Sequence, residues 1–164
     1  AVCVALLDEG APILGVVHAP ACDATYTAVA GSGARRNGEP IRTSSVRTLA
    51  DARIAGPKPM LDALARVQPF EAVGKIPSLA LRLTRIADAT IDAGLISPDA
   101  RDWDLAAADL VLREAGGRLS SGDGGAVTYN RPAPVHGMLV ASAGALATPL
   151  LETLAQLHGQ QQPR

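Results

Sequence analysis

Two aspartates on either side of the only tryptophan are the residues best placed to do chemistry. Asp102, Trp103 and Asp104 stand where a polar loop gives way to an apolar helix pattern. Carboxylate oxygens are the ligands that Mg²⁺ prefers in proteins. The N-terminus of a helix also favours anions, because its unpaired N–H groups and its dipole are positive there. Together these groups could hold a divalent cation beside a phosphate.

The residues that follow predict the helix that would carry these carboxylates. Apolar residues recur every three or four positions from Leu105 to Ala115, and Gly116 and Gly117 then predict its end. The pattern predicts a helix over residues 104–115. Asp104 would be its N-cap, where a short acceptor side chain takes the amide hydrogens of the first turn. An aspartate in this place is most often only a cap, so capping and metal binding are alternatives for this residue.

Several segments resemble the inositol monophosphatase-like family, the magnesium-dependent and lithium-sensitive phosphatases. The most specific is WDLAAADLVLREAGG at residues 103–117, which resembles the family's C-terminal signature. Weaker matches follow the family's order at residues 15–20, 26–28, 33–41 and 78–92. The resemblance implies an α/β fold, namely the C-terminal portion of a layered αβαβα sandwich. It also implies a Mg²⁺-dependent phosphomonoester hydrolase.

The same resemblance assigns roles to individual residues. Asp104 matches the aspartate of the family's WD motif, so it is the expected metal ligand in a cluster of two or three Mg²⁺ ions. The expected substrate-binding residues are Ser78, Ser97, Arg101 and Asp102. The expected structural residues are Asp92, Trp103, Gly116 and Gly117. Asp102 could instead be a solvated loop acid, as could Asp99.

The family's other metal ligands do not occur in these 164 residues. They come from a GEE-like segment and a DPxDGT motif, and both would precede residue 1 in the family's order. One carboxylate cannot assemble a site for several metals. We therefore expect the C-terminal part of a larger enzyme, with no appreciable phosphatase activity by itself. The alternative is a truncated, non-catalytic family member that acts as a structural, dimerisation or binding domain.

One position bears on the substrate. Family members that hydrolyse inositol phosphates resemble one another in an acidic residue seven positions before the WD aspartate, and here that residue is Ser97. A serine lacks the charge-assisted acceptor for inositol hydroxyls, which weighs against myo-inositol 1-phosphate. The resemblance favours a 3′(2′),5′-bisphosphate nucleotidase or a broad sugar and inositol phosphatase, and the sequence does not separate the two.

Composition argues against several classes of partner. With 15 basic and 16 acidic residues the net charge is −1, which gives no electrostatic case for binding nucleic acid. No apolar run reaches the roughly 18 residues of a membrane span. Cys3 and Cys22 lack metal-binding spacing and predict buried, reduced thiols, so we expect a cytoplasmic protein. The expected partners are a small-molecule phosphate ester and a second copy in a homodimer.

The order of predicted elements divides the chain in two. Residues 1–43 predict an antiparallel meander, because apolar alternation is interrupted by turn signals such as Asn37-Gly38. Strands then alternate with helices, which indicates α/β layering. We expect an N-terminal part at 1–47, a C-terminal α/β domain at 48–158 and a frayed tail at 159–164. The predicted helices are 58–67, 78–89, 104–115 and 145–157.

Other polar residues are expected to lie outside the site. His18, His136 and His158 do not cluster with acids or cysteines in the sequence, so surface or packing roles are favoured. Asp109 follows Asp104 by about one and a half helical turns and should not bind the same metal.

Overall fold

The computed structural model describes the backbone of residues 1–160 and the side chains of residues 1–157. The strands are β1 (Val2–Asp8), β2 (Ala11–Ala19), β3 (Ala24–Val29), β4 (Ala34–Arg36), β5 (Glu39–Ile41), β6 (Arg53–Ala55), β7 (Glu71–Ala72), β8 (Ala93–Ile96), β9 (Ala100–Arg101), β10 (Gly117–Ser121), β11 (Val135–His136) and β12 (Leu139–Ala143). The helices are α1 (Lys58–Ala65), α2 (Leu79–Ala87), α3 (Asp102–Glu114) and α4 (Ala147–Gln160).

The first five strands form one antiparallel sheet in the order β1-β2-β3-β4-β5. Asn37 and Gly38 join β4 to β5 with φ angles of 50° and 87°. These positive angles are what a two-residue type I′ hairpin turn requires. The predicted meander is therefore confirmed. Its edge strand β1 leaves Val2, Val4 and Leu6 more than half exposed.

The second sheet is mixed, in the order β10-β12-β8-β6-β7. Strand β6 is parallel to β7 and β8, whereas β12 is antiparallel to β8 and β10. Because β6 and β8 are parallel, their carboxyl ends share one edge of the sheet. A third, two-stranded sheet pairs β9 with β11. The sequence did not predict these two strands, because two residues each are too few to show alternation.

Helices and sheets stack in four layers. Helices α2 and α3 lie between the two large sheets and share one apolar core with both. Helices α1 and α4 pack on the other face of the second sheet around a separate core. Neighbouring residues of β8 show the division, since Ile96 belongs to the first core and Leu95 to the second. This β-α-β-α layering confirms the predicted α/β class.

Small residues let α3 approach the first sheet closely. A Cβ atom on Gly15 of β2 would lie 2.6 Å from the carbonyl oxygen of Ala107. Ala106, Ala107 and Ala108 are all buried. The alanine-rich composition of α3 therefore reflects its place between two sheets, where larger side chains would hold the layers apart.

The double glycine ends α3 for two different reasons. Gly116 has a φ of 90°, which glycine adopts without steric cost, and its N–H donates to the carbonyl of Arg113 at 2.9 Å. A Cβ atom on Gly117 would overlap with the side chain of Leu112. One glycine reverses the chain and the next allows β10 to start against the helix.

Some element boundaries differ from the predicted ones. Helix α3 starts at Asp102, two residues before the predicted start, and α4 extends to Gln160, beyond the predicted end at Leu157. Gly159 and Gln160 are thus helical rather than part of a tail, and residues 161–164 lie outside the described range. The linker 42–48 joins the first sheet to the rest, and the division into two domains near residue 47 stays a prediction.

Both cysteines are free, but they differ in exposure. Cys3 on β1 is half-buried, whereas Cys22, at the end of a short 3₁₀ helix between β2 and β3, is exposed. The prediction of a buried thiol is therefore wrong at Cys22, because the 3₁₀ helix that carries it buries none of its residues. Within residues 1–160, none of the helices is long and apolar enough to cross a membrane.

Candidate active site

Asp104 lies in the first turn of α3 and is exposed to solvent. The N-cap of this helix is Arg101, which makes no side-chain capping bond. The prediction that Asp104 is the N-cap is therefore wrong, since it is the third residue of the helix. Its carboxylate forms no hydrogen bond or ion pair with the described part of the chain. It remains available to a cation at the positive end of the helix.

The contacts of Asp102 account for the start of α3 two residues before the predicted position. Its Oδ1 lies 2.7 Å from Nε2 of His136, and its Oδ2 accepts the backbone N–H of Asn130 at 2.8 Å. The side chain of His136 is 4% exposed and that of Asp102 17%. Both oxygens of Asp102 thus have partners in the fold, so it is not a solvated loop acid. Asp102 also lines the groove beside Trp103, and its substrate-binding role stays a prediction.

His136 is the residue that sequence reasoning missed. It is the buried partner of Asp102, 34 positions away in the chain. Strand β11, which carries it, pairs with β9 directly before α3. The pairing brings His136 to the start of the helix, and no local sequence signal predicts such a contact. His18 is exposed and lies 2.9 Å from the Thr25 hydroxyl, whereas the side chain of His158 lies outside the described residues.

A second buried pair lies behind the first. The hydroxyl of Tyr129 donates to Oδ2 of Asp109 at 2.9 Å, and the rings of Tyr129 and His136 meet edge to face at 5.6 Å. Burial raises the pKa of Asp109, against the opposing effects of Arg113 and of the Tyr129 hydrogen bond. Burial and the Asp109 charge also raise the pKa of Tyr129. Asp109 is therefore a buried polar residue of the core, hydrogen-bonded to Tyr129.

Trp103 differs from the packing residue that the sequence predicts. Its side chain is 63% exposed, and the guanidinium carbon of Arg101 lies 6.0 Å from its ring centroid. Together with Cys3 and other β1 residues it lines a groove of about 350 Å³ beside the first half of α3. Burial and the nearby charge of Asp104 raise the pKa of the Cys3 thiol.

The two predicted substrate-binding serines occupy different surroundings. Ser78 is the N-cap of α2, and its hydroxyl accepts the N–H of Leu81 at 3.2 Å. The hydroxyl oxygen of Ser78 is therefore used to cap α2. Ser97 is exposed at the end of β8 and lines a small cleft with Arg82. The structure therefore leaves Ser97 open to a ligand and gives Ser78 a capping partner.

Asp92 is fully buried where the chain enters β8. Its Oδ2 accepts the backbone N–H of Arg53 at 2.8 Å and the Nε–H of the same residue at 2.9 Å. Burial by itself would raise the pKa of Asp92, but the hydrogen bonds and charge of Arg53 outweigh it, so the pKa lies below its ordinary value. These contacts tie β6 to β8 and suit the structural role that was expected.

The described residues near the start of α3 offer one carboxylate that suits Mg²⁺ binding, that of Asp104. Among the described residues there is no group of three or more histidine, cysteine, aspartate or glutamate side chains that could hold a metal. Asp104 suits one oxygen position of a Mg²⁺ coordination sphere. The nearby carboxylates of Asp102 and Asp109 already have other partners.

Comparisons with known proteins agree with this architecture. The sequence model of the inositol monophosphatase family matches residues 1–159. A histidinol-phosphatase from Mycobacterium tuberculosis is 35% identical over 170 residues, which is 92% of this chain and 60% of the relative. An inositol-1-monophosphatase from Mesorhizobium japonicum is 33% identical over 138 residues, 76% of this chain and 50% of the relative.

A solved structure extends the similarity to three dimensions. The inositol monophosphatase from Anabaena (Nostoc) is similar with a TM-score of 0.79 at 26% identity, over 94% of this chain and 63% of that chain. The chain thus spans between half and two thirds of the proteins that it matches. Because the family's sequence model covers nearly the whole chain, we conclude that it belongs to the inositol monophosphatase family.

Proposed function

We propose that the whole protein is a Mg²⁺-dependent phosphomonoester hydrolase and that this chain supplies one part of its active site. The observation that carries the proposal is the carboxylate of Asp104, which is exposed at the N-terminus of α3 and has no partner among the described side chains. Family membership supports the reaction class, and the two relatives named above are both phosphatases by name.

Each residue at the start of α3 has a distinct part in this proposal. Asp104 provides an oxygen ligand to a cluster of two or three Mg²⁺ ions. Such ions, when bound, activate a water molecule and stabilise the leaving oxygen. Asp102 holds the first turn in place through His136 and Asn130. The positive end of the α3 dipole favours the phosphate of the substrate.

The remaining metal ligands would come from residues outside this chain. Only one unengaged carboxylate lies at the start of α3 in the described residues. We therefore propose that the 164 residues form an incomplete site and have no appreciable activity by themselves. We also propose that the whole protein is cytoplasmic and homodimeric.

The proposed substrate is a small phosphate ester. Ser97 stands where an acidic residue would accept inositol hydroxyls, and it is exposed in the structure. This supports a 3′(2′),5′-bisphosphate nucleotidase, or a broad sugar and inositol phosphatase, over an enzyme devoted to myo-inositol 1-phosphate.

Phosphate release by the full-length protein tests the proposal. Adenosine 3′,5′-bisphosphate, myo-inositol 1-phosphate and hexose phosphates are supplied with and without Mg²⁺, and the isolated 164-residue chain is assayed in parallel. We expect Mg²⁺-dependent, Li⁺-inhibited release by the full-length protein only. Release by the isolated chain would refute the incomplete site.

The alternative is a non-catalytic family member that keeps the fold and binds a partner. The lack of a three-ligand metal cluster in the described residues is the observation that favours it. A full-length protein that releases no phosphate from any ester of the panel in Mg²⁺ would support this alternative and contradict the enzyme.

A further inference from the structure

Arg82 is a half-buried residue of α2 whose positive charge has no counter-ion among the side chains that the structure describes. Its Nη1 donates to the carbonyl of Leu95 and its Nη2 to the carbonyl of Ile76, both at 3.0 Å. The Nε atom is buried and has no hydrogen-bond partner within residues 1–157. Among the described residues, no acid forms an ion pair with this guanidinium. The arginine reaches this place across β8, where a Cβ atom on Gly94 would lie 3.3 Å from its Cδ.

Such an arrangement leaves donors for a ligand. A partly buried charge without a partner costs free energy, and burial accordingly lowers the pKa of Arg82. Arginine nevertheless keeps its charge in proteins. Each terminal nitrogen carries two hydrogens and gives one to a carbonyl, so one N–H remains on each. The guanidinium is therefore fixed in position but not neutralised, which suits recognition of a carboxylate or phosphate.

A cleft opens beside this arginine at the edge where β6 and β8 end. It measures about 250 Å³ and is lined by Pro57 after β6, by Ser97 after β8 and by Leu79 of α2. Pockets for whole small molecules measure roughly 300–1,000 Å³, so this cleft suits one substituent of a ligand. Ligands of open α/β sheets bind at the carboxyl ends of strands. The segment 97–101 leads from the cleft directly into the first turn of α3.

A second cleft next to Arg82 adds to the charges in its surroundings. It is lined by Lys58 and Lys75 together with Asp62. Asp62 is already paired with Lys58 at 2.9 Å. Asp99 is the acid that lines the first cleft, and it is exposed to solvent. Arg82 lines both clefts, and neither Arg82 nor Lys75 forms an ion pair with an acid of the described residues. Two positive groups thus lie beside one exposed acid, which leaves positive charge available for an added anion.

We propose that this cleft is a subsite for a second anionic group of the substrate, with Arg82 as its donor. The group is a carboxylate or a phosphate carried by the same molecule as the phosphate that is hydrolysed. The inference rests on the proposed function for the hydrolysed phosphate, but the binding itself needs no hydrolysis. The cleft selects phosphate esters that carry a second anionic group over phosphates of uncharged polyols, which would leave Arg82 without a counter-charge.

Two matched pairs of ligands test the subsite in the full-length protein. Adenosine 3′,5′-bisphosphate is compared with adenosine 3′-monophosphate, and 3-phosphoglycerate with glycerol 3-phosphate. Calorimetry in EDTA gives Kd without turnover, and phosphate release in Mg²⁺ gives KM. We expect the doubly anionic member of at least one pair to bind about 10- to 100-fold more tightly, as hydrogen bonds to charged groups allow. The pair that shows the preference identifies the anion as phosphate or carboxylate.

Variants assign the preference to Arg82. Arg82→Gln should reduce it to under about threefold, whereas Arg85→Gln, on the same helix but outside the cleft, should leave it unchanged. Because Arg82→Gln also removes two hydrogen bonds to backbone carbonyls, Ser97→Glu is a second test. It adds a negative charge that competes with the anion of the ligand for Arg82, so it should weaken the preference while the two hydrogen bonds of Arg82 to backbone carbonyls stay in place.

The outcomes separate this inference from the proposed function. Equal binding of both members in both pairs by the wild-type protein overturns the subsite, as does a preference that Arg82→Gln and Ser97→Glu leave intact. If the binding preference follows Arg82 but no ester is hydrolysed, the subsite stands and the phosphatase proposal fails.

Discussion

Three aspartates of α3 show how surroundings decide what a carboxylate can do. Asp104 is exposed and without a protein partner, Asp102 is held by His136 and Asn130, and Asp109 is buried against Tyr129. All three have the same intrinsic chemistry. Asp102 uses both of its oxygens in hydrogen bonds, and Asp109 is buried with its Oδ1 3.4 Å from Nε of Arg113. Asp104 is therefore the aspartate of α3 whose carboxylate faces solvent.

The buried carboxyl of Asp109 gives the folded protein a measurable pH dependence. Its pKa is raised on folding, chiefly by burial, so the folded state holds a proton that the unfolded state releases above about pH 4. The contribution of this carboxyl to the free energy of unfolding is therefore fully present below that pH. It is lost as the pH rises through the pKa of Asp109 in the folded protein. In Asp109→Asn the group cannot titrate and the amide oxygen still accepts the Tyr129 hydroxyl. Urea unfolding at several pH values should therefore show Asp109→Asn gaining stability relative to the wild type as the pH rises.

Asp92 provides the control of opposite sign. Its pKa is lowered in the folded protein, because the Arg53 contacts outweigh burial, so its contribution is present above about pH 4 and is lost as the pH falls. The loss of stability in Asp92→Asn, relative to the wild type, should therefore become smaller as the pH falls.

The prediction for Asp109 is contradicted if the stabilities of Asp109→Asn and the wild type change in parallel with pH. That result would show that Asp109 has an ordinary pKa in the folded protein.

At the scale of elements, α3 lies between two sheets, and this close packing requires small residues on the helix. Glycine on β2 and alanines on α3 let the backbones meet, with the Cβ position of Gly15 only 2.6 Å from the Ala107 carbonyl. The helix that carries Asp104 is thus anchored along its length by close packing and at its start by the β9–β11 pair.

Substituting Gly15 tests this packing. Gly15→Ala forces a methyl group against the backbone of α3 and should lower the free energy of unfolding by about 1–3 kcal/mol. The matched control is Gly74→Ala, in the loop before α2, where a Cβ atom would meet nothing within 4 Å. The control should change stability by less than about 1 kcal/mol. Equal losses in the two variants, measured by urea unfolding, would mean that β2 and α3 do not meet this closely.

Most long elements could be predicted from periodicity, but the contacts that complete the site could not. The repeat from Leu105 to Ala115 and the Asn37-Gly38 turn are local signals, and both elements formed as expected. The start of α3 was misplaced because it depends on His136 and Asn130, which are distant in sequence. Arg82 gave no signal either, since its lack of a counter-ion exists only in three dimensions.

At the scale of the whole molecule, the chain spans only part of the length of its relatives. It spans 60% of one phosphatase relative and 50% of another, and β1 exposes Val2, Val4 and Leu6 along the edge of its sheet. One unengaged carboxylate at the start of α3 cannot coordinate two or three metals. The proposed function therefore requires that Asp104 completes a metal cluster whose other ligands lie outside these 164 residues.

Asp104→Asn in the full-length protein tests that claim most directly, with Asp8→Asn as an exposed control on β1. Turnover of the best phosphate ester is measured against Mg²⁺ concentration for both variants. We predict that Asp104→Asn lowers turnover by at least about 100-fold and raises the Mg²⁺ requirement, because a metal ligand is lost, while the control behaves as wild type. Normal turnover with an unchanged Mg²⁺ requirement in Asp104→Asn would contradict the account.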